Sequence, residues 1–249
     1  SLFSPASIED LLRAVQDLIP FDESIEITLE ANPGTFEYQK FSDFVSTGVN
    51  RISLGVQSFD DAKLKALGRI HQSGEAKRAI EALHKISLKS FNIDLMYALP
   101  HQTVQQGLDE IETAISFSPK HLSWYHLTLE PNTVFYRNPP KHLPKENLVI
   151  ELEDQGRSLL RENNLIQYEV SAYSLPGHQS VHNKNYWTFG DYLGIGAGAH
   201  AKITDLSSGV ISRYTKQRVP KNYMAPDLPF TSSSRVLVAD ELPLEFMMN

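Results

Sequence analysis

The sequence predicts an α/β fold in which helices cover a mainly parallel sheet. Short apolar runs rich in β-branched residues alternate with longer segments that carry apolar residues at helical spacing, from residue 25 to residue 173. Strands joined by such long helical connections pair in parallel. A closed or partial barrel and an open doubly wound sheet both fit this order of elements.

Each predicted element has a local start or stop signal. Ser4 and Pro5 begin the first helix, Gly48 and Gly68 end the next two, and Ser73 is predicted to cap the fourth. The predicted strands are 25–29, 51–56, 91–98, 121–128 and 168–173. The predicted helices are 2–19, 38–47, 60–67, 73–86, 104–115 and 145–162.

The pattern weakens towards the end of the sequence. Residues 130–144 are predicted to form a proline-rich loop, and little periodicity remains after Ser174. Residues 203–249 look irregular and polar, with a single helical start at 241–248. An irregular C-terminal extension is therefore expected.

Composition excludes several classes of function. The 249 residues carry a net charge of −7 without a long run of like charges, so a basic surface for nucleic acid is not supported. No apolar stretch is long enough to span a bilayer, which leaves only a peripheral membrane contact open. With no cysteine, the sequence contains no disulfide and no thiolate ligand for a metal cluster. A cytoplasmic location is the default expectation.

Polar residues recur near the carboxyl ends of the predicted strands. They are Glu30, Gln57, Asp94, His126 and Thr128. In parallel α/β proteins the ligand site lies at that edge of the sheet, although exposed strand ends are often polar without any ligand. Asp94 is the strongest candidate, because a carboxylate within an apolar strand needs a partner or a ligand.

Two later segments allow competing interpretations. The glycines of 194–199 match a dinucleotide-binding pattern, but no helix follows, so a strip for close backbone approach is favoured. Residues 182–187, HNKNYW, combine an imidazole that can ligate heme iron with two aromatic rings that can cover a macrocycle. From composition alone, the favoured interpretation of this segment is a turn whose Tyr186 and Trp187 fill the core.

Four segments together resemble a known family. They are LEANPGT at 29–35, RISLGVQSF at 51–59, NIDLMYALP at 92–100 and YLGIGAGAH at 192–200. The chain resembles radical S-adenosylmethionine (SAM) proteins of the anaerobic coproporphyrinogen III oxidase group. The HNKNYW segment is similar to that of the HemW-type heme chaperone branch.

The resemblance implies a partial (β/α)6 barrel, here truncated at its N-terminal strand. It divides the chain into a barrel portion at 1–175, a barrel-completing region at 176–220, and a linker with the start of a truncated helical domain at 221–249. It also implies a [4Fe–4S] cluster held by three cysteines of a CxxxCxxC loop, with SAM on the fourth iron. That loop is absent from this sequence.

Site residues follow from the resemblance position by position. The implied SAM contacts are Glu30, Gln57, Arg69, Asp94, Thr128, Ala199 and His200. Glu30 corresponds to an acid near the methionyl end, Arg69 to a partner of the SAM carboxylate and Asp94 to the acceptor of the ribose hydroxyls. Gln57 corresponds to a contact of the ribose or carboxylate region of SAM. Thr128, Ala199 and His200 match contacts of the adenine end. Arg69 has a simpler alternative role in capping the helix that ends at Gly68.

Three functions are consistent with the resemblance. The first is a heme chaperone that binds heme as cargo and passes it to heme-accepting proteins. Its heme contacts would be His182, Tyr186 and Trp187, with His182 as the iron ligand. The second is an oxygen-independent coproporphyrinogen III dehydrogenase that decarboxylates propionates by radical chemistry. The third is a catalytically silent interaction module. The HNKNYW segment favours the chaperone.

Overall fold

The computed structural model describes residues 3–35 and 38–247. The chain divides into two compact units, Ser1–Gln179 and Ser180–Asn249. Leu2 and Met248, predicted as ends of two helices, lie outside the described residues. The domain boundaries predicted after residues 175 and 220 stay predictions.

The first unit alternates strands and helices, as predicted. In chain order it contains α1 (Pro5–Leu18), β1 (Thr28–Ala31), α2 (Tyr38–Ser46), β2 (Arg51–Gln57), α3 (Asp61–Ala66), α4 (Ser73–Leu83), β3 (Ser90–Tyr97), α5 (Val104–Ser116), β4 (His121–His126), α6 (Val134–Arg137), α7 (Glu146–Glu162), β5 (Ile166–Gln167) and β6 (Ala172–Ser174). The sheet order is β1-β2-β3-β4-β6-β5, and the first four strands are parallel. The predicted α/β fold is confirmed.

Helix ends follow the predicted signals with one exception. The Ser4 hydroxyl accepts a hydrogen bond from the Ser7 amide (3.1 Å) at the start of α1. Gly48 and Gly68 have positive φ angles of 110° and 70° after α2 and α3. Ser73 does not cap α4, because it is already the first helical residue and Gln72 precedes it.

The predicted strand 168–173 is wrong in extent and direction. After α7 the chain forms a hairpin of β5 and β6, and β6 pairs with β4 in antiparallel orientation. The three residues of β6 are buried, whereas both residues of β5 are exposed. Strand β6, whose side chains are buried, therefore lies beside β4, and the exposed strand β5 forms the edge of the sheet.

The two faces of the parallel strands differ in polarity. Side chains on one face are apolar: Leu29, Ile52, Leu54, Ile93, Leu95, Leu122 and Trp124. Side chains on the other face are polar: Glu30, Ser53, Asn92, Asp94, His121, Ser123 and Tyr125. Parallel sheets with helices on both faces have nearly continuous apolar strands, so this alternation favours a partial barrel with a polar interior. Within the described residues the sheet is open, with β1 and β5 at its edges.

The second unit is more regular than predicted. It contains α8 (Val181–Trp187), β7 (His200–Thr204), β8 (Ile211–Lys216), α9 (Pro220–Tyr223), β9 (Thr231–Val236) and α10 (Leu242–Met247). The strands form an antiparallel sheet in the order β7-β8-β9. The prediction that 203–249 is irregular is wrong for β8 and β9. The helix predicted near the end is confirmed as α10.

Among the described residues, none of the helices combines the length and apolar character needed to cross a bilayer.

A glycine on α7 lets the helix lie against the sheet. A Cβ atom at Gly156 would stand 2.3 Å from Cη2 of Trp124, which is far closer than real Cβ contacts. We expect Gly156→Ala to lower the free energy of unfolding by about 1–3 kcal/mol, because the added methyl overpacks this contact. Urea denaturation followed by circular dichroism measures the change.

Gly74→Ala on α4 is the matched control. Its Cβ would lie 3.4 Å from the flexible Arg78 guanidinium, so we expect a gain of about 0.5 kcal/mol from the lower entropy of the unfolded chain. Equal stabilities of the two variants would contradict the packing assigned to Gly156.

Candidate functional site

Asp94 lies at the centre of a polar cluster on the inner face of the parallel strands. Its Oδ2 accepts a hydrogen bond from the Ser53 hydroxyl (3.0 Å), and its Oδ1 accepts one from the Asn92 amide (2.7 Å). Ser53 comes from β2, and Asn92 precedes Asp94 by two residues on β3. A carboxylate has about four acceptor positions, so Asp94 keeps acceptor capacity for a ligand.

Burial raises the pKa of the Asp94 carboxyl above its usual value of 3.8. Hydrogen bonds from Ser123, Asn92 and Ser53 act in the opposite direction, because they stabilise the charged form. The negative charge of Glu30 raises the pKa further. Glu30 and Asp94 therefore act on each other electrostatically, and a ligand with hydroxyl or cationic groups would relieve their repulsion.

Gln57 is held in an unusual conformation at the end of β2. Its φ angle is 69°, at a point where the pairing of β2 with β3 shifts register. Its Oε1 accepts a hydrogen bond from the Tyr125 hydroxyl (2.7 Å). A Cβ atom at Gly55 would come within 3.0 Å of Gln57 Nε2, so this glycine makes room for the folded-back amide.

Tyr125 connects the predicted site residues. Burial raises the pKa of its hydroxyl to about 12, and the negative charges of Asp94 and Glu30 contribute to the increase. The hydrogen bond to Gln57 and the positive charge of Arg69 lower the pKa. Three predicted residues of the first three strands, Glu30, Gln57 and Asp94, and Arg69 after α3 thus all act on one phenol through charge or a hydrogen bond.

Arg69 fits both roles considered for it. Its backbone N–H donates to the Leu64 carbonyl (2.9 Å) and closes α3 together with Gly68, as the simpler alternative requires. Its side chain is exposed, and its charge acts on Tyr125. The backbone closes the helix while the guanidinium stays available to an anionic group.

A buried carboxylate on α5 holds the turn that follows Gln57. Glu110 accepts hydrogen bonds from the Ser58 hydroxyl (2.5 Å) and from the Phe59 amide (2.6 Å). Burial raises the pKa of Glu110, and these hydrogen bonds oppose the increase. Helix α5 thereby fixes the conformation of the strand end that carries Gln57.

Sequence reasoning missed the supporting residues of this cluster. They are Ser53, Ser123, Tyr125 and Glu110, together with the role of Asn92. The residues on the strands carried a usable signal, because they alternate with apolar neighbours and so share a face with Asp94. Glu110 had no such signal beyond being an acid on the apolar side of a helix.

Thr128 is not brought into this cluster, and His126 on the same segment makes a different contact. Thr128 is exposed and lies two residues beyond the end of β4, so its placement late in a strand is wrong. His126 ends that strand and packs edge-on against Tyr97, with 5.4 Å between ring centroids. Ala199 and His200 belong to the second unit.

The HNKNYW segment forms the short helix α8, with Ser180 as its N-cap. His182 is exposed, and its Nδ1 lies 3.1 Å from the Ser180 hydroxyl. Tyr186 and Trp187 are 40% and 43% exposed, so the interpretation that they fill the core is wrong. His182 and Tyr186 are four residues apart and share one side of the helix. This arrangement offers an imidazole and aromatic surface to a ligand.

The glycine-rich segment enters a strand. A Cβ atom at Gly194 would stand 2.1 Å from the His200 carbonyl oxygen, so this glycine permits close backbone approach, as predicted. Strand β7 follows where a dinucleotide-binding motif needs a helix. Buried Lys202 anchors the segment by donating to Asp191 Oδ1 (2.6 Å).

Comparisons with known proteins agree with this architecture. Residues 2–114 match the Radical SAM superfamily. The whole chain is 48% identical to two proteins named heme chaperone HemW, from Haemophilus influenzae and Escherichia coli. The chain is a HemW-type member of the radical SAM superfamily. It spans 64% and 65% of the lengths of these two relatives.

The fold of this radical SAM chain also has a solved counterpart. The structure titled "Coproporphyrinogen III oxidase (HemN) from Escherichia coli is a Radical SAM enzyme" superimposes with a TM-score of 0.82. The match covers 99% of this chain and 59% of that one, at 19% sequence identity. At this identity the likeness establishes the fold alone, and it agrees with the resemblance to the coproporphyrinogen oxidase group.

The side chains fit one of the family's cofactors better than the other. SAM carries a carboxylate, a sulfonium and ribose hydroxyls. The polar side chains around Asp94 offer a guanidinium, two carboxylates and an amide to match these groups. A [4Fe–4S] cluster requires thiolates, and this sequence has no cysteine. The described residues also contain no group of three or more metal-binding side chains.

We expect Asp94→Asn to flatten the pH dependence of stability. Because the folded pKa is raised, wild-type protein loses free energy of unfolding as pH rises from about 4 through the folded pKa. Asparagine does not titrate, and the Ser53 hydroxyl can rotate to accept from its amide. Urea denaturation between pH 4 and pH 8 measures the slope. Exposed Asp17→Asn should retain the wild-type slope, and an unchanged slope in Asp94→Asn would contradict the assignment.

Proposed function

We propose that this chain is the part of a heme chaperone that binds SAM and heme. The observation that carries the proposal is the 48% identity to HemW heme chaperones along the entire chain. The polar cluster around Asp94 and the exposed aromatic residues of α8 supply chemistry suited to the two ligands. Heme-accepting proteins are the proposed partners, and the cytoplasm is the proposed location.

The proposed SAM site uses the carboxyl edge of the first unit. Asp94 accepts hydrogen bonds from the ribose hydroxyls, because Ser53, Asn92 and Ser123 use only part of its acceptor positions. Arg69 pairs with the SAM carboxylate through its planar guanidinium. Glu30 lies near the methionyl end, and its negative charge stabilises the ammonium group there.

Gln57 contributes an amide whose orientation is fixed in advance. Tyr125 donates to its Oε1, which directs Nε2 towards the side facing Gly55. Preorganised polar groups bind ligands better than mobile ones, because less conformational freedom is lost on binding. Thr128, Ala199 and His200 stay the predicted contacts of the adenine end.

The [4Fe–4S] cluster belongs to the proposal for the full-length protein only. When bound together with SAM it supplies radical chemistry, or it regulates heme transfer. The residues of this chain would contribute by binding and orienting SAM, since the chain contains no thiolate ligand.

The proposed heme contacts are His182, Tyr186 and Trp187 on α8. The exposed His182 imidazole is a suitable iron ligand, and the partly exposed rings of Tyr186 and Trp187 can pack against a flat macrocycle. The lysine at position 184 on the same helix is exposed and can pair with a propionate.

A coproporphyrinogen III dehydrogenase is the second candidate. The structural likeness to the coproporphyrinogen III oxidase favours it over the silent module, because the two share a fold over nearly the whole of this chain. The heme chaperone is preferred because identity to the HemW proteins is far higher, at 48% against 19%.

SAM binding by the full-length protein tests the first half of the proposal. We expect Asp94→Ala to raise the dissociation constant of SAM about 10- to 100-fold, because hydrogen bonds to a charged acceptor are lost. Anaerobic isothermal titration calorimetry measures the constant. Asp109→Ala, an exposed position on α5, is the control and should bind as wild type. Equal binding by the two variants would remove Asp94 from the site.

Heme titration of the full-length protein tests the second half. We expect His182→Ala to abolish stoichiometric binding or to shift the Soret band, because an iron ligand is lost. His84→Ala, an exposed histidine at the end of α4, should leave the spectrum unchanged. Absence of heme binding by the wild type, combined with anaerobic SAM-dependent consumption of coproporphyrinogen, would favour the dehydrogenase instead.

A further inference from the structure

A continuous chain of hydrogen bonds runs from the β5–β6 hairpin to Asp94. The Tyr168 hydroxyl lies 2.7 Å from His121 Nε2, and His121 Nδ1 lies 2.6 Å from Asn92 Oδ1. The Asn92 amide then donates to Asp94 Oδ1 (2.7 Å). His121 and Asn92 are each only 1% exposed, so solvent does not compete with the contact between them.

The amide group of Asn92 determines which atom donates in each hydrogen bond of this chain. Its Nδ2 donates both to Asp94 and to the Ser53 hydroxyl (2.7 Å), so the amide nitrogen must face these groups. Its Oδ1 therefore faces His121, and Nδ1 of the imidazole must carry the hydrogen. A neutral His121 then accepts from the Tyr168 hydroxyl at Nε2. With His121 neutral, this assignment of hydrogens satisfies every contact between Tyr168 and Asp94.

The chain of hydrogen bonds reaches Asp94 from the side opposite the carboxyl edge of the sheet. Asn92 is opposite His121 on β4 and opposite Ser53 on β2 in the strand register. Asp94 lies two residues further towards the carboxyl ends of the strands. The protein thus holds the carboxylate from beneath and leaves the carboxyl edge of the sheet, where Gln57 and Tyr125 stand, to a ligand.

We propose that His121 and Tyr168 are positioning residues that fix the Asp94 carboxylate for its ligand by orienting the Asn92 amide. The proposal rests on the proposed function in that Asp94 binds the ribose hydroxyls of SAM. Neither residue touches the ligand. Losing His121 removes the shorter of the two contacts to Asn92 Oδ1 (2.6 Å) and leaves the longer one from the Ser123 hydroxyl (3.2 Å). The Asn92 amide is then held less firmly as a donor to the carboxylate.

The first test needs no SAM. Nitrogen-15 NMR of histidine side chains should find His121 neutral with its hydrogen on Nδ1, the less common tautomer of free histidine. The titration midpoint of the Asp94 carboxyl, followed by carbon-13 NMR, should move to higher pH in Tyr168→Phe, because donation from Asn92 weakens. Tyr136→Phe, an exposed tyrosine on α6, is the control and should leave both signals unchanged.

The second test measures SAM affinity of the full-length protein. We expect His121→Phe to raise the dissociation constant about tenfold, and Tyr168→Phe to raise it by a smaller factor. His121→Asn should restore most of the affinity, because its amide nitrogen can replace Nδ1 as the donor to Asn92. A role in folding alone would not produce this rescue among variants of equal thermal stability.

The outcomes distinguish the positioning role of His121 and Tyr168 from the proposed binding of SAM at Asp94. A hydrogen on Nε2 of His121, or an unmoved Asp94 titration in Tyr168→Phe, would overturn the positioning role whatever binds at Asp94. Equal SAM affinity of wild type and His121→Phe would overturn it as well. If wild-type protein does not bind SAM, the proposed function fails, and the NMR measurements alone decide whether His121 and Tyr168 position Asp94.

Discussion

The polar face of the sheet depends on how the side chain of Asn92 is satisfied. The amide is buried, donates to Asp94 and Ser53, and accepts from His121, so three strands are joined through one side chain. A buried polar group without partners would cost more free energy than the hydrogen bonds return, so the surrounding residues must all be of the right type. The position of Asp94, and with it the site, follows from this constraint.

The site combines rigid support with exposed ligand contacts. Gln57 has a left-handed backbone conformation fixed by the turn that Glu110 holds, and Tyr125 orients its amide. Arg69 is exposed directly after a closed helix end. The helices on the outer side of the sheet therefore do more than cover it, because α5 and the end of α3 each determine where one polar group of the site stands.

Much of the fold could be predicted because helical spacing and β-branched runs are strong signals in the first unit. The hairpin of β5 and β6 could not, since burial in the folded state decides which segment lies beside β4. Strand β9 was hidden because its Ser232–Ser234 stretch has no apolar alternation. The residues at strand ends could be found from the sequence. Their supports could not, because His121 lies 29 residues from Asn92 and 47 from Tyr168.

The close contact between Gly156 and Trp124 also limits how this sequence can change. The indole fills the space that any side chain at 156 would need, so residue 156 can grow only if residue 124 shrinks. A single exchange at either site leaves an overlap or a void, and both lower stability. Evolutionary change at these two positions must therefore proceed through paired replacements. The distance of α7 from the sheet is set jointly by two residues that lie 32 positions apart in the chain.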